Sequence, residues 1–385
     1  MKVLTNYLSE LWSATLHGWD RFWFKPSDPA TLGMIRILGG LMLLYTHLIW
    51  TKDFDAFFGP NDPWLSREAV RAFQTGAPSG VDKTGNARNS QTEIPAAMPT
   101  APMPIANGAE IVVAVPDGAT SAEQANGESL GPRTTYAWSW FKWTDSRGAL
   151  WTLHVFSLVA FACLTLGLFT RAAAVAAFLA TVSYVNRVPG ALFGLDQVNG
   201  MVSMYLALGP SGSAWSLDRW LRARRTGRPL EMTHISGATI AIRLIQIHMC
   251  VIYLFAGLGK LQGPSWWNGY AMWQAFASLE YQSLDMTWLA DWPRTVNLMT
   301  HVTVCWEIFF CVLIWPRLTR PIMLLIAIPL HLGIAICLGM PTFGLAMLIG
   351  CAAFLSPPLV RGLARWCASL VPRGSVPPAA AASRG

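Results

Sequence analysis

Apolar residues in this chain gather into stretches of about 20 with few charges, the length of helix that crosses a hydrocarbon core about 30 Å thick. Backbone inside such a core must hydrogen-bond within its own segment, so the expected class is all-α, a polytopic integral membrane protein. Composition agrees, with 53% hydrophobic and 13% charged residues against about 25% charged in ordinary soluble domains. Eight transmembrane helices are expected, at 31–50, 149–169, 172–189, 194–209, 237–260, 296–315, 321–339 and 341–356, the third, fourth and eighth being short.

Positive charge near span ends sets orientation. With the N-terminus inside, the cytoplasmic segments hold fifteen cations, among them the run Arg219, Arg222, Arg224, Arg225 and Arg228. The short loops opposite hold only Arg187 and Arg294, so both termini are expected to be cytoplasmic and the net charge of +7 belongs to a lipid bilayer. No aromatic-interleaved basic patch suggests nucleic acid. Seven cysteines without CxxC spacing suggest neither a disulfide framework nor a zinc site.

Five regions follow. Residues 1–30 form an N-terminal interfacial segment without a cleavable signal pattern, with Tyr7, Leu8, Leu11, Trp12, Trp19 and Phe22 on its membrane side. Residues 31–75 hold the first span and an outer flank. Residues 76–135, rich in Ala, Gly, Pro, Ser, Thr and Asn, read as a disordered outer loop. The remaining bundle occupies 136–356, and 357–385 form a cytoplasmic tail whose LVPRGS stretch matches a thrombin recognition sequence and carries no functional reading.

Ionisable groups within spans mark a pathway or a site by default. Arg36 can snorkel to headgroups, and His47 and His154 fall near outer ends where an imidazole stays wet. In the fifth span Gln246, Cys250, Tyr253, Gly257 and Lys260 follow spacings of 4, 3, 4 and 3, a polar stripe on one helical face with Arg243 at its edge. Lys260 ends that stripe near the outer interface, where it either snorkels or, as a neutral amine, serves as a general base. His331, two residues after Pro329, either bonds a ligand oxygen or satisfies a neighbouring helix. Glu307 needs a proton or a partner; Arg243 and Arg36 are the candidates, and a structural ion pair is favoured over catalysis.

Three stretches in order carry a resemblance: FKPSDPATLGMIRILGGLML (Phe24–Leu43), WSLDRWL (Trp215–Leu221) and, most specific, IYLFAGLGKLQGPSWWNGYAMW (Ile252–Trp273). IPLHLGIAICLGMPTFGLAML (Ile328–Leu348) matches more loosely. Together they resemble the HTTM domain family, the membrane domain shared by vitamin K-dependent gamma-carboxylase and its bacterial relatives. The resemblance implies that Lys260 is the base that takes a proton from a reduced quinone, menaquinol or vitamin K hydroquinone, with oxygen as oxidant and carbon dioxide captured by a glutamate carbanion. It places His331 in the same catalytic region and makes Asn199, Asp196, Tyr253 and Trp267 candidates for holding the quinone.

Two departures temper it. GLDQVNGM (Gly194–Met201) lacks the Asn-His pair of the carboxylase, so Asp196, Gln197 or Asn199 can substitute only as hydrogen-bonding groups and the neutral imidazole role is lost, and no large outer domain for a protein substrate is expected after the last span. The leading expectation is a quinol-dependent, oxygen-using general-base enzyme, epoxidase- or lyase-like, in a bacterial inner membrane, with a small, peptide or partner-delivered substrate or a redox partner on the outer side. The alternative is a non-catalytic scaffold or maturation partner. A small-anion transporter using Arg187, Arg243 and Lys260 ranks third, because no internal repeat is seen.

Overall fold

The structure is a computed structural model that describes residues 2–59, 138–144, 146–188, 192–228, 230–231 and 233–370. The expected outer loop at 76–135 lies outside the described residues. Fourteen α-helices are described: α1 (Lys2–Phe24), α2 (Ala30–Trp50), α3 (Phe54–Phe58), α4 (Arg147–Leu166), α5 (Thr170–Arg187), α6 (Gly194–Leu208), α7 (Leu217–Thr226), α8 (Ser236–Lys260), α9 (Pro264–Trp267), α10 (Ala271–Ala277), α11 (Pro293–Leu313), α12 (Arg320–Cys337), α13 (Pro341–Cys351) and α14 (Pro357–Leu370). No β-strand occurs among the described residues beyond an isolated bridge between Ser27 and Ile235.

Each expected span is a helix. Five of them, α2, α4, α8, α11 and α12, are long and apolar enough to cross a membrane. The surface of the bundle differs from that of a water-soluble protein. Phe156, Val159, Phe255, Leu298, Phe309, Leu325 and Ile336 face outward, while Arg36, His47, His154, Glu307 and His331 are buried within a largely apolar core. Large apolar side chains outside with ionisable ones turned inward is the arrangement a hydrocarbon solvent selects. The chain is a multi-pass membrane protein.

Helix α2 sits at the centre, with 56% of its apolar window buried against 17% for the peripheral α12. Small residues set the closest crossings, as expected where no water drives helices together. A Cβ on Gly40 would stand 2.7 Å from Thr165 Oγ1 of α4, and one on Gly257 of α8 2.7 Å from Ile308 Cγ1 of α11. Gly344 gives α13 the same close approach to Ala335 of α12, at 3.0 Å. Helices α8 and α11 thus pair closely, as do α12 and α13, whereas α11 and α12 touch at few points.

One end of the bundle is tied by residues from the stretches quoted above. Asp28 accepts from Ala30 N (2.9 Å) at the start of α2 and from Arg361 Nε and Nη2 of α14, at 2.6 and 2.7 Å. Asp218 accepts from Phe169 N (2.8 Å), Thr170 N (2.7 Å) and Thr170 Oγ1 (2.7 Å), placing a carboxylate at the N-terminus of α5, where the helix dipole favours it. Burial alone would raise Asp218, but those Thr170 and Phe169 bonds, with Arg222 nearby, hold it below the usual carboxylate range. Burial likewise opposes Asp28, yet Arg361 and the Ala30 amide hold it low.

Arg36 does not snorkel. It is fully buried and donates through Nη2 to Trp215 O at 2.7 Å, because the WSLDRWL loop folds over it. Gly167, with φ at 70°, faces the guanidinium, where a Cβ would collide with it. Helix α1 has the expected exposed apolar face, with Tyr7, Leu8, Leu11, Trp12 and Trp19 outward, while Phe22 turns in and packs 5.6 Å from Trp315. The segment after 356 adds a second amphipathic helix, α14, exposing Leu359, Leu363, Trp366 and Leu370 at spacings of 4, 3 and 4.

Candidate functional site

The polar stripe of α8 faces protein. Gln246, Cys250, Tyr253 and Gly257 are buried, and Gln246 Nε2 donates to Ala353 O at 2.8 Å. At the end of the stripe Lys260 Nζ donates to both carboxylate oxygens of Glu307, at 2.9 and 2.7 Å, and lies 5.3 Å from the centre of the Trp266 ring. The side chains are 23% and 9% exposed respectively. Gly257 makes this pair geometrically possible, since it lets α11 approach α8 one turn before the lysine.

The partner of Glu307 is therefore Lys260, rather than Arg243 or Arg36. Arg243 is spent elsewhere, on Gln246 Oε1 (2.9 Å), Phe22 O (3.3 Å) and the face of the Phe22 ring (4.4 Å). Glu307 lies 14 residues into α11, about 21 Å from its start. Lys260, paired with it, thus lies well along α11 rather than level with its start. Residues 261–292 fill the space above it: α9, α10 and a 3-10 turn (Thr287–Asp291) pack against the first half of α11 through Phe276, Leu289 and Val296.

Beneath this cap a cavity of about 380 Å³ opens between α8, α11 and α12. Lys260, Glu307, Thr303 and Trp266 give it one polar wall, and Met272, Phe276, Met299, Val302, Ile326, Pro329, Leu330 and Ile334 line the rest. Gly333 also lines it, and a Cβ built there meets nothing within 4 Å. Pro329 contributes to this shape because it lacks an N–H and loosens the α12 ladder beside the cavity.

His331 is on α12 next to these lining residues but turns toward α8 and α13. Its Nε2 is 2.6 Å from Tyr253 Oη, which also lies 3.2 Å from Cys351 Sγ, while His331 Nδ1 is buried without a partner. Tyr253 is seven residues before Lys260, hence about 10 Å along α8, so His331 and Lys260 occupy successive tiers of one seam. Asp196 accepts from Phe193 N at 3.1 Å and caps α6; Asn199 is buried on the same helix, and neither lines the cavity. Trp267 is 63% exposed and donates to Leu261 O, so the neighbouring Trp266 takes the place at Lys260.

Sequence reasoning missed Trp266, Thr303 and Gly333. The tandem Trp266–Trp267 could not be split without knowing which way α9 turns, but Thr303, four residues before Glu307 on one helical face, was a readable signal. His47 and His154 are not at a wet interface. Both are buried, His47 lying 4.4 Å from the Tyr184 ring and His154 bonded to Tyr184 Oη (2.6 Å) and Thr51 Oγ1 (2.8 Å). Among the described residues no cluster of His, Cys, Asp and Glu could hold a metal ion.

No curated protein and no solved structure matches the chain at a significant level. The family model of the HTTM domain matches residues 105–358, beginning after the Phe24–Leu43 stretch and covering the helices that carry Lys260, Glu307 and the cavity. The chain thus belongs to the HTTM domain family, the family related to vitamin K-dependent gamma-carboxylase.

Proposed function

We propose that this protein is an eight-span enzyme of a bacterial inner membrane, both termini cytoplasmic, that takes a proton from a reduced isoprenoid quinone at Lys260 and its partner Glu307. The observation that carries the reading is the Lys260–Glu307 pair on the wall of an otherwise apolar cavity. About 300–1,000 Å³ with a few convergent polar groups is the usual make-up of a small-molecule site, and these residues fit a hydroxylated ring with an apolar tail. Such a ligand supplies the reducing equivalents for an oxygen-dependent oxidation.

The chain's own residues do the rest. Lys260 Nζ bonds to both Glu307 oxygens, which holds the nitrogen at the cavity wall where a ligand hydroxyl would meet it. Trp266, Met272 and Phe276 of the cap cover one side of the cavity, and a ligand that fills it would displace water and strengthen both charges toward itself. His331 stays one tier below and holds Tyr253, so its contribution is to keep the α8–α12 seam in register. Carbon dioxide and an acceptor on the outer side, peptide or small molecule, complete the proposed chemistry.

One observation favours the scaffold reading: the bidentate pair straps α8 to α11 and satisfies both charges without any ligand. Purified protein in lipid, given menaquinol or vitamin K hydroquinone and oxygen, separates the two. Epoxide from the native protein and none from Lys260→Ala is expected. No epoxide from a folded native protein, with a family carboxylase active in parallel, would favour the scaffold.

A further inference from the structure

We propose that the groove between α14 and the loop carrying Trp215 holds the phosphate headgroup of an anionic phospholipid. The groove encloses about 600 Å³ and is lined by Asp28, Trp215, Arg361, Ala364, Arg365 and Ala368. The last four share one face of α14, at spacings of 3, 1 and 3, and the two alanines leave space that a larger side chain would fill. Arg361 is held from two sides. Its Nε and Nη2 donate to Asp28, at 2.6 and 2.7 Å, and its guanidinium carbon lies 5.7 Å from the centre of the Trp215 ring. Trp215 is fixed in turn, because its carbonyl accepts from the buried Arg36 at 2.7 Å; its φ of 50° is in the left-handed region that a tryptophan rarely adopts.

Charge selects the ligand. Asp28 and Arg361 neutralise each other, whereas Arg365 is exposed and has no hydrogen-bond or ion-pair partner among the described residues. The groove thus carries one unspent positive charge, on a planar fork that matches the oxygens of a phosphodiester. No acidic residue occurs in α14, and Arg219, Arg222, Arg224 and Arg225 follow Trp215 on α7, so the surface around the groove attracts anions.

Position makes that ligand a lipid. Val360 is buried, Thr31 Oγ1 donates to Leu355 O at 3.3 Å and Arg361 reaches Asp28, so α14 leaves the bundle beside the first turn of α2, a helix apolar enough to cross a membrane. A groove at that level lies among headgroups. The face of α14 about 180° from the groove exposes Leu359, Leu363, Trp366 and Leu370. Leucine and tryptophan on one face with arginine on the other is the make-up of a helix that lies in a membrane surface with its apolar side in the acyl boundary. That attitude turns Arg365 toward the phosphates.

Full-length protein in phosphatidylcholine nanodiscs, with a small fraction of phosphatidylglycerol or phosphatidylcholine spin-labelled on an acyl chain, gives a readout that needs no turnover. Native protein is expected to immobilise the phosphatidylglycerol label about fivefold in preference to the other, the scale of one basic residue at an anionic surface. Arg365→Ala should lose that preference, and so should Ala368→Trp, which fills the groove without changing its charge. Arg225→Ala, at the same end but outside the groove, should keep it. Absence of a preference in the native protein overturns the proposal. A preference that survives either groove variant, or that Arg225→Ala also loses, assigns it to a diffuse basic face and overturns the site. Displacement of the label by millimolar glycerol phosphate overturns the lipid as its occupant in favour of a soluble phosphate. Both groove positions are exposed, so thermal unfolding within a few degrees of native is expected for each variant.

Discussion

Two seams of this bundle bury titratable groups between apolar helices, and they differ in what surrounds them. Between α2, α4 and α5, His47, His154 and Tyr184 sit in a solid aromatic packing, with His47 4.6 Å from Phe161 and His154 4.4 Å from Phe54, ring centre to ring centre. Their polar atoms are spent on Leu43 O, Thr51 and each other. Between α8, α11 and α12, Lys260 and Glu307 are equally well paired but look into about 380 Å³ of space. A polar side chain in a membrane helix therefore does not by itself mark a site; a cavity beside it is what makes the α8–α11–α12 seam the candidate.

The contrast predicts opposite responses to changes in volume. Phe161→Ala removes a fully buried ring from the packed seam and should cost about 3–5 kcal/mol of stability, read as a large fall in Tm, with ligand affinity at the cavity unchanged in whatever remains folded. Loss of binding at native stability would break the comparison. Gly333→Leu should do the reverse. It fills open space, so Tm should stay within a few degrees of native, while the affinity for menaquinol under the proposed function, read by direct binding to protein in lipid, falls about 100-fold, equivalent to about 2.7 kcal/mol.

A smaller effect tests the tied end of the bundle against the cavity. Asp218→Asn should cost about 1–2 kcal/mol by weakening charge-assisted bonds to Phe169 and Thr170, and leave quinol binding unchanged. Because the Asp218 carboxyl is held below its ordinary value in the folded chain, its contribution is present above about pH 4 and lost as pH falls further. Unfolding followed between neutral pH and pH 3 should show a shallower acid loss in Asp218→Asn; an identical slope would remove the carboxylate from the account. The smallest expected change is Thr51→Val, which deletes the bond to His154 Nε2 and should lower stability by about 0.5–1 kcal/mol with no effect at Lys260.

The helices were legible because hydropathy acts locally: α2 starts at Ala30 and α8 ends at Lys260, within a residue of their expected limits. The stripe from Gln246 to Lys260 was legible for the same reason, since four residues of rise and one face of a helix follow from sequence spacing alone. The partner of Glu307 was not. Depth counted from helix ends paired it with an inner arginine, whereas α8 stops at Lys260, which meets α11 about 21 Å from that helix's start, and the cap fills the difference.

Sequence alone thus determined the solvent, the class of fold, the residues too polar for their surroundings and the family, because each depends on residue chemistry summed over one helix. Tertiary structure decided which of those residues meet. It set Lys260 on Glu307, His331 on Tyr253 and Trp266 over the lysine, and it left a cavity beside Lys260 while packing His47, His154 and Tyr184 ring against ring. The physical reason is that helix pairing is fixed by small-residue crossings such as Gly257 against Ile308, a fit between two surfaces that neither helix encodes alone.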